Sequence, residues 1–195
     1  MTQRVVLASS NKGKVKEFSE LLAGRDMTVV PQSDFAVPDA DETGLTFVEN
    51  AILKARNAAV HTGLAAIADD SGLEVDYLNG APGIYSARYA GDGGSADYNA
   101  KLLESLADVA TEHRGARFQC VLVYLRHAED PTPIICQGTW EGRILTALRG
   151  EAGFGYDPLF WVPEEGCSSA ELAAARKNEL SHRGQALRCL LKALS

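Results

Sequence analysis

The 195-residue chain carries 19 Lys and Arg against 26 Asp and Glu, a formal net charge of −7, with 46% hydrophobic and 23% charged residues. This balance excludes a disordered polar chain and allows one domain with a sizeable core. The acidic surplus argues against a nucleic-acid binder, and no apolar run is long enough to span a bilayer, so a cytoplasmic protein without a membrane or nucleic-acid partner is expected.

Residues 4–8 (RVVLA) form a short apolar run that stops at Ser9-Ser10-Asn11, and Val15, Phe18, Leu21 and Leu22 follow at helical spacing. The start therefore reads as strand, loop, helix. A second strand is expected over 27–31, followed by an acidic loop through Asp39, Asp41 and Glu42. Phe47, Ile52, Ala55 and Ala59 mark a helix capped by Thr46, with Glu49 three residues on completing a capping box. Residues 64–68 (LAAIA) read as a buried strand ending at Asp69 and Asp70, and the Gly-rich stretch 71–94 as a long irregular segment of the kind that carries function. A helix is expected over 97–106, two long strands or a hairpin over 116–126 and 133–148, a Gly-rich loop over 150–163, and helices over 170–176 and 182–194. No repeat or linker divides the chain, so residues 1–195 are read as one mixed α/β domain.

Four segments carry residues suited to chemistry. Ser9, Ser10, Asn11, Lys12, Gly13 and Lys14 lie between strand and helix, where hydroxyls, amines and free backbone N–H groups form an anion site. The spacing is neither that of a P-loop nor that of a dinucleotide fingerprint. Two adjacent carboxylates at a buried strand end repel unless a cation compensates, and oxygen-only ligands favour Mg²⁺. Asp70 is thus a candidate metal ligand, with Glu42 or Asp41 of the acidic loop as a second. In Gly153-Phe154-Gly155-Tyr156-Asp157, the glycines allow close approach of backbone to a ligand, Phe154 offers a stacking face and Asp157 an acceptor. Lys177, His182 and Arg183 supply donors that fit a base carbonyl, although Ser181 ahead of them also fits an ordinary helix cap. The cysteines, Cys120, Cys136, Cys167 and Cys189, lack metal-ligand spacing and are expected as reduced thiols, while Trp140 and Trp161 are read as structural.

Together, SSNKGK at 9–14, ENAILKA at 49–55, ADDSGLEVD at 68–76, GAPGIYSARYAG at 80–91, AGFGYDP at 152–158 and SHRGQAL at 181–187 resemble the bacterial RdgB/HAM1 family, the noncanonical purine nucleoside triphosphate pyrophosphatases. The resemblance runs from about residue 4 to residue 194. It implies a homodimeric, Mg²⁺-dependent enzyme that converts ITP, dITP or XTP to the monophosphate and pyrophosphate. The implied fold is an elongated mixed α/β structure with a central curved sheet and two lobes flanking an active-site cleft. Carried over by motif, Asp70 is the expected catalytic base and metal ligand and Glu42 a further metal carboxylate. Residues 9–14 and Lys54 are expected to hold the triphosphate, and Ser71, Phe154, Gly155, Tyr156, Asp157, Lys177, His182 and Arg183 the nucleoside. Ser10 stands where many members carry glycine, which implies less backbone freedom in the phosphate loop.

Overall fold

Period-two alternation decides the layering of the first strands. In β1 (Gln3–Leu7), Val5 and Leu7 enter one apolar cluster and Val6 another, because successive side chains leave a strand on opposite faces. The computed structural model describes residues 3–22, 27–91 and 93–195. Parallel pairing joins β1 to β2 (Met27–Pro31), with Val5 opposite Val29, and to β3 (Ala65–Val75), with Val5 opposite Ala65. The later strands are β4 (Gly115–Leu125), β5 (Ile134–Ile144), β6 (Phe160–Val162) and β7 (Cys167–Ser168), and the sheet order is β2-β1-β3-β4-β5-β6-β7. With β5–β6 and β6–β7 antiparallel, this seven-stranded sheet is mixed, as an α/β chain requires. Five α-helices accompany it among the described residues: α1 (Lys12–Leu21), α2 (Phe47–Thr62), α3 (Ser95–Ser105), α4 (Ala174–Leu180) and α5 (His182–Leu194).

The chain divides into two compact units, the first built from residues 1–70, 120–138 and 183–195 and the second from 71–119 and 139–182. In the first unit, Val5, Leu7, Ile67, Cys120 and Leu122 pack with Phe18 of α1 and Ala186, Leu187 and Leu190 of α5. The opposite strand faces, through Val6, Ala66, Ala68, Val121 and Val123, meet Ala51, Ala55, Ala58 and Ala59 of α2. That alanine stripe has the i, i+4, i+7, i+8 spacing of one helix face, and its small side chains let the helix lie close to the strands. A fully buried Leu or Ile such as Leu122 or Ile67 contributes about 1.5–3 kcal/mol to this packing.

The second unit has its own core, in which Leu73, Leu102, Leu106, Phe118, Trp140, Ile144, Leu159 and Phe160 are buried together. Arg114 is buried there because its guanidinium donates to the carbonyls of Val109, Leu106 and Leu145, closing the loop after α3.

Four boundaries depart from the sequence reading: the strand expected over 133–148 ends at Ile144, the loop expected over 150–163 gives way to β6 at Phe160 because Phe160 and Val162 are buried and pair with β5 and β7, and two further elements shift. The strand expected to end at Ala68 continues through both aspartates to Val75, so residues 71–75 are not loop, and 3-10 turns occupy 76–78 and 83–88. Asp-Ser-Gly has turn chemistry, but ladder pairing and the burial of Leu73 and Val75 override it. The helix expected over 170–176 is a 3-10 turn at Ser169–Glu171 followed by α4, with the Ser168–Glu171 capping box holding the turn in place.

Candidate functional site

Each unit gathers one cluster of polar side chains. In the first, the alternation of β3 makes the two aspartates unequal. Asp69 shares the face of Ala65 and Ile67, the side covered by α1 and α5, whereas Asp70 shares the face of Ala66 and Ala68, the side covered by α2.

Asp69 is surrounded by donors. Lys14 Nζ lies 2.5 Å from its Oδ1, Arg183 Nε donates to Oδ2 at 2.7 Å, and the Cys120 thiol donates to Oδ2 at 3.3 Å. Arg183 is tied further to Glu17 through Nη1 at 2.5 Å. Burial pushes the Asp69 carboxyl up, but the charges and hydrogen bonds of Arg183 and Lys14 outweigh it and hold the group well below the usual carboxylate range. Burial, reinforced by the Asp69 charge, drives the Cys120 thiol well above its ordinary value, so it is a donor and not a nucleophile.

Asp70 has a different setting. Lys54 Nζ is 2.5 Å from its Oδ1 and 3.2 Å from Glu42 Oε1. Burial raises the Asp70 carboxyl above its ordinary value against the opposing pull of Lys54 and Lys14. The Lys54 ammonium, which burial alone would lower, is raised by Asp70 and Glu42. The second oxygen of Asp70, Oδ2, is buried and has no hydrogen-bond partner among the described residues. A buried anionic oxygen without a donor fits a cation or water, and two carboxylates match the sparse protein ligation of Mg²⁺, which keeps waters and phosphate oxygens in its other positions. Asp70 and Glu42 are the residues here that would hold such a metal, whereas Asp41 is exposed.

The anion loop opens α1 as expected. Asn11 caps the helix, its Oδ1 accepting from Lys14 N at 3.1 Å, and Ser9 Oγ accepts from Asn11 N at 3.2 Å. Ser10 has no positive φ, so this loop conformation does not require glycine there. Its hydroxyl donates to Asp39 at 3.2 Å and accepts from Gln32 at 3.1 Å. Lys12 is exposed and Gly13 half-buried. Among the described residues, the ion pairs of this cluster set Glu17, Glu42, Asp69 and Asp70 against Lys14, Lys54 and Arg183. This set is therefore one charge short of neutral, a deficit that a divalent cation reverses in favour of a polyanion.

The second unit holds the aromatic cluster. Gly153 and Gly155 adopt φ of +77° and +67°, and a Cβ on Gly153 would lie 2.1 Å from Asp157 Oδ2. That close turn lets Phe154 N donate to Asp157 Oδ2 at 2.8 Å. Lys177 Nζ pairs with the same oxygen at 2.7 Å and lies 5.0 Å from the Phe154 ring centroid, while Ser169 Oγ donates to Asp157 Oδ1 at 2.9 Å. Asn99 Nδ2 fixes the Gly155 carbonyl at 2.9 Å, and Tyr156 packs on Tyr98 with its hydroxyl donating to Ser86 O. His182 is buried and stacked on Phe118 at 4.7 Å, with Trp140 behind it at 6.4 Å. Ser71, half-buried, is the first residue of this unit after Asp70.

Of the residues singled out from sequence, Ser9, Ser10, Asn11, Lys14, Glu42, Lys54 and Asp70 thus fall in the first cluster, and Phe154, Gly155, Tyr156, Asp157, Lys177 and His182 belong to the second unit. Arg183, grouped from sequence with the nucleoside contacts, has its guanidinium between Asp69 and Glu17. Glu17, Asn99 and Ser169 were not legible in the sequence, and Cys120, expected there as a reduced thiol, was not legible as a partner of Asp69. Their partners are 12 to 166 positions away, and no spacing rule marks them.

A model of the Ham1 family matches residues 5–193. A dITP/XTP pyrophosphatase of Thioalkalivibrio sulfidiphilus (strain HL-EbGR7) is 64% identical over 192 residues, which is 98% of each chain. A protein of the same name from Vibrio cholerae is 63% identical, over 98% of this chain and 96% of that protein. Among solved structures, a HAM1 protein from Coxiella burnetii is 50% identical with a TM-score of 0.91, and the Staphylococcus aureus Ham1 protein 41% identical with 0.86, each covering 98% of both chains.

Proposed function

Because the chain belongs to the Ham1 family, we propose that this nucleoside triphosphate pyrophosphatase hydrolyses ITP, dITP and XTP, in the presence of Mg²⁺, to the monophosphate and pyrophosphate. In that role it clears deaminated purines from the nucleotide pool. The observation that carries the reading is Asp70: a buried carboxylate with one oxygen on Lys54, the other without a hydrogen-bond partner among the described residues, and Glu42 on the same lysine.

When bound at Asp70 and Glu42, Mg²⁺ supplies charge neutralisation of the triphosphate and stabilisation of the pyrophosphate leaving group. Asp70 is the general base. With Oδ1 held by Lys54, the carboxylate takes a proton from the water that attacks the α-phosphorus. The new bond joins the water oxygen to the α-phosphorus, and the α–β anhydride bond breaks. Lys54 and Lys14 offset the charge on the phosphates, and the first-turn N–H groups of α1 present further donors.

The second cluster reads the base. The Phe154 ring stacks on it, and Lys177 donates to the 6-carbonyl that hypoxanthine and xanthine carry, with His182 as a further donor. Adenine presents an amino group at that position, so a donor would face a donor, a mismatch that costs about 1–3 kcal/mol when buried. The enzyme acts as a homodimer in the cytoplasm. Among the described residues no helix is long and apolar enough to cross a membrane.

The test is to incubate the purified protein and Mg²⁺ with ITP, dITP, XTP, ATP and GTP and to quantify pyrophosphate, orthophosphate and monophosphate separately. Pyrophosphate with monophosphate, formed fastest from the deaminated purines, is expected. Orthophosphate as the product, or nucleotide binding without any product, would sink the reading.

A further inference from the structure

Glu42 lies in a stretch, residues 37–44, that has neither helix nor strand, so something outside the loop must fix its carboxylate. At one end, Asp39 accepts from Gln32 Nε2 at 2.8 Å, and the Pro38 carbonyl accepts from Asn57 Nδ2 at 2.7 Å. At the other end, two residues beyond Glu42, Gly44 N donates to the side-chain Oδ1 of Asn50 at 2.8 Å. The loop lies so close to the first turn of α2 that a Cβ on Gly44 would stand 2.5 Å from Glu49 Cβ and 2.7 Å from Asn50 Oδ1. Gly44 is thus required for close approach, and its φ is not positive.

Asn50 is fully buried, and its Nδ2 has no acceptor among the described residues. A buried amide donor left unmade costs stability, so an apolar residue would serve the core better. What the side chain does supply is the anchor for Gly44. One helical turn later the same helix presents Lys54, whose ammonium holds Glu42 at 3.2 Å and Asp70 at 2.5 Å. α2 therefore grips the loop with Asn50 and the Glu42 carboxylate with Lys54.

We propose that Asn50, through Gly44, is a positioning residue that sets Glu42 for divalent-cation binding. The inference rests on the reading of Glu42 as a metal carboxylate. Asn50 touches neither metal nor substrate in this account, and its effect runs through the backbone of the loop.

The test titrates Mn²⁺ into the full-length protein in the presence of an α,β-methylene analogue of ITP, reading free Mn²⁺ by electron paramagnetic resonance, with Tm measured in parallel. Asn50→Ala should weaken Mn²⁺ binding about tenfold or more, the usual scale for losing a group that orients a ligand. It should leave Tm within about 3 °C, because the unsatisfied amide goes with the hydrogen bond. Gly44→Ala, which forces the loop off the helix while keeping Asn50, should reproduce the loss. Mn²⁺ affinities within twofold of the parent, or an affinity loss matched by a large fall in Tm in both variants, would overturn the proposal. A Glu42→Gln variant that binds Mn²⁺ like the parent, or a parent that binds none, would remove the reading beneath it. Either result is distinguishable from failure at Asn50 alone.

Discussion

Replacing Asp69 by Asn keeps the side chain's size and removes its charge from among Lys14, Arg183 and Cys120. Breaking a buried ion pair by deleting one partner usually costs about 3–5 kcal/mol, because the remaining charge stays desolvated. Here the lower end applies. Arg183, 3% exposed, retains Glu17, and Lys14, 15% exposed, can turn toward water. With an expected loss of about 3 kcal/mol and a urea slope of about 2 kcal/mol/M, the unfolding midpoint at pH 7 should fall by about 1.5 M. The pH dependence adds a signature. A carboxyl held below its ordinary value contributes stability that is present above the unfolded-state value of 3.8 and is lost as the pH falls toward the lower folded-state value. The gap between parent and Asp69→Asn should therefore be full at neutral pH and shrink as the pH drops below about 4. Urea melts followed by circular dichroism at several pH values measure both effects. A midpoint shift under about 0.5 M at pH 7, or a gap that does not narrow in acid, would refute the assignment of Asp69 as the fixed counter-ion of the cluster.

Asp70→Asn should lower kcat for ITP by about 10²–10⁴-fold while nucleotide binding partly persists, measured by turnover and calorimetry, and near-normal turnover contradicts its role as base. Phe154→Ala should raise KM for ITP about tenfold or more with kcat within threefold, the scale of one lost base-stacking contact, and an unchanged KM removes the ring from the base site. Lys177→Met should erode the preference for ITP over ATP in kcat/KM by about tenfold or more, and a preserved ratio assigns discrimination to another group.

Local physics made much of the first cluster legible. The cap that places α2 was readable from Thr46, whose Oγ1 accepts from Glu49 N, while the Glu49 carboxylate accepts from Leu45 N, one residue ahead of the cap. The glycine-dependent backbone at Gly153 and Gly155 was readable for the same reason, since short-range geometry demands that residue type. The extent of β3 was not, because Asp-Ser-Gly favours a turn until neighbouring strands supply ladder partners. Nor was the division of labour between the aspartates. It needs the register of β3 against β1 and the knowledge that α1 and α5 cover one face and α2 the other. The Arg183–Asp69 pair spans 114 positions, and no periodicity in the sequence connects them.

Hydrolysis of ITP in water enriched in ¹⁸O, followed by mass spectrometry of both products, tests the central claim most directly. Attack on the α-phosphorus by water activated at Asp70 predicts one ¹⁸O in the monophosphate and none in the pyrophosphate. Label in the pyrophosphate would place the attack on the β-phosphorus and contradict the account.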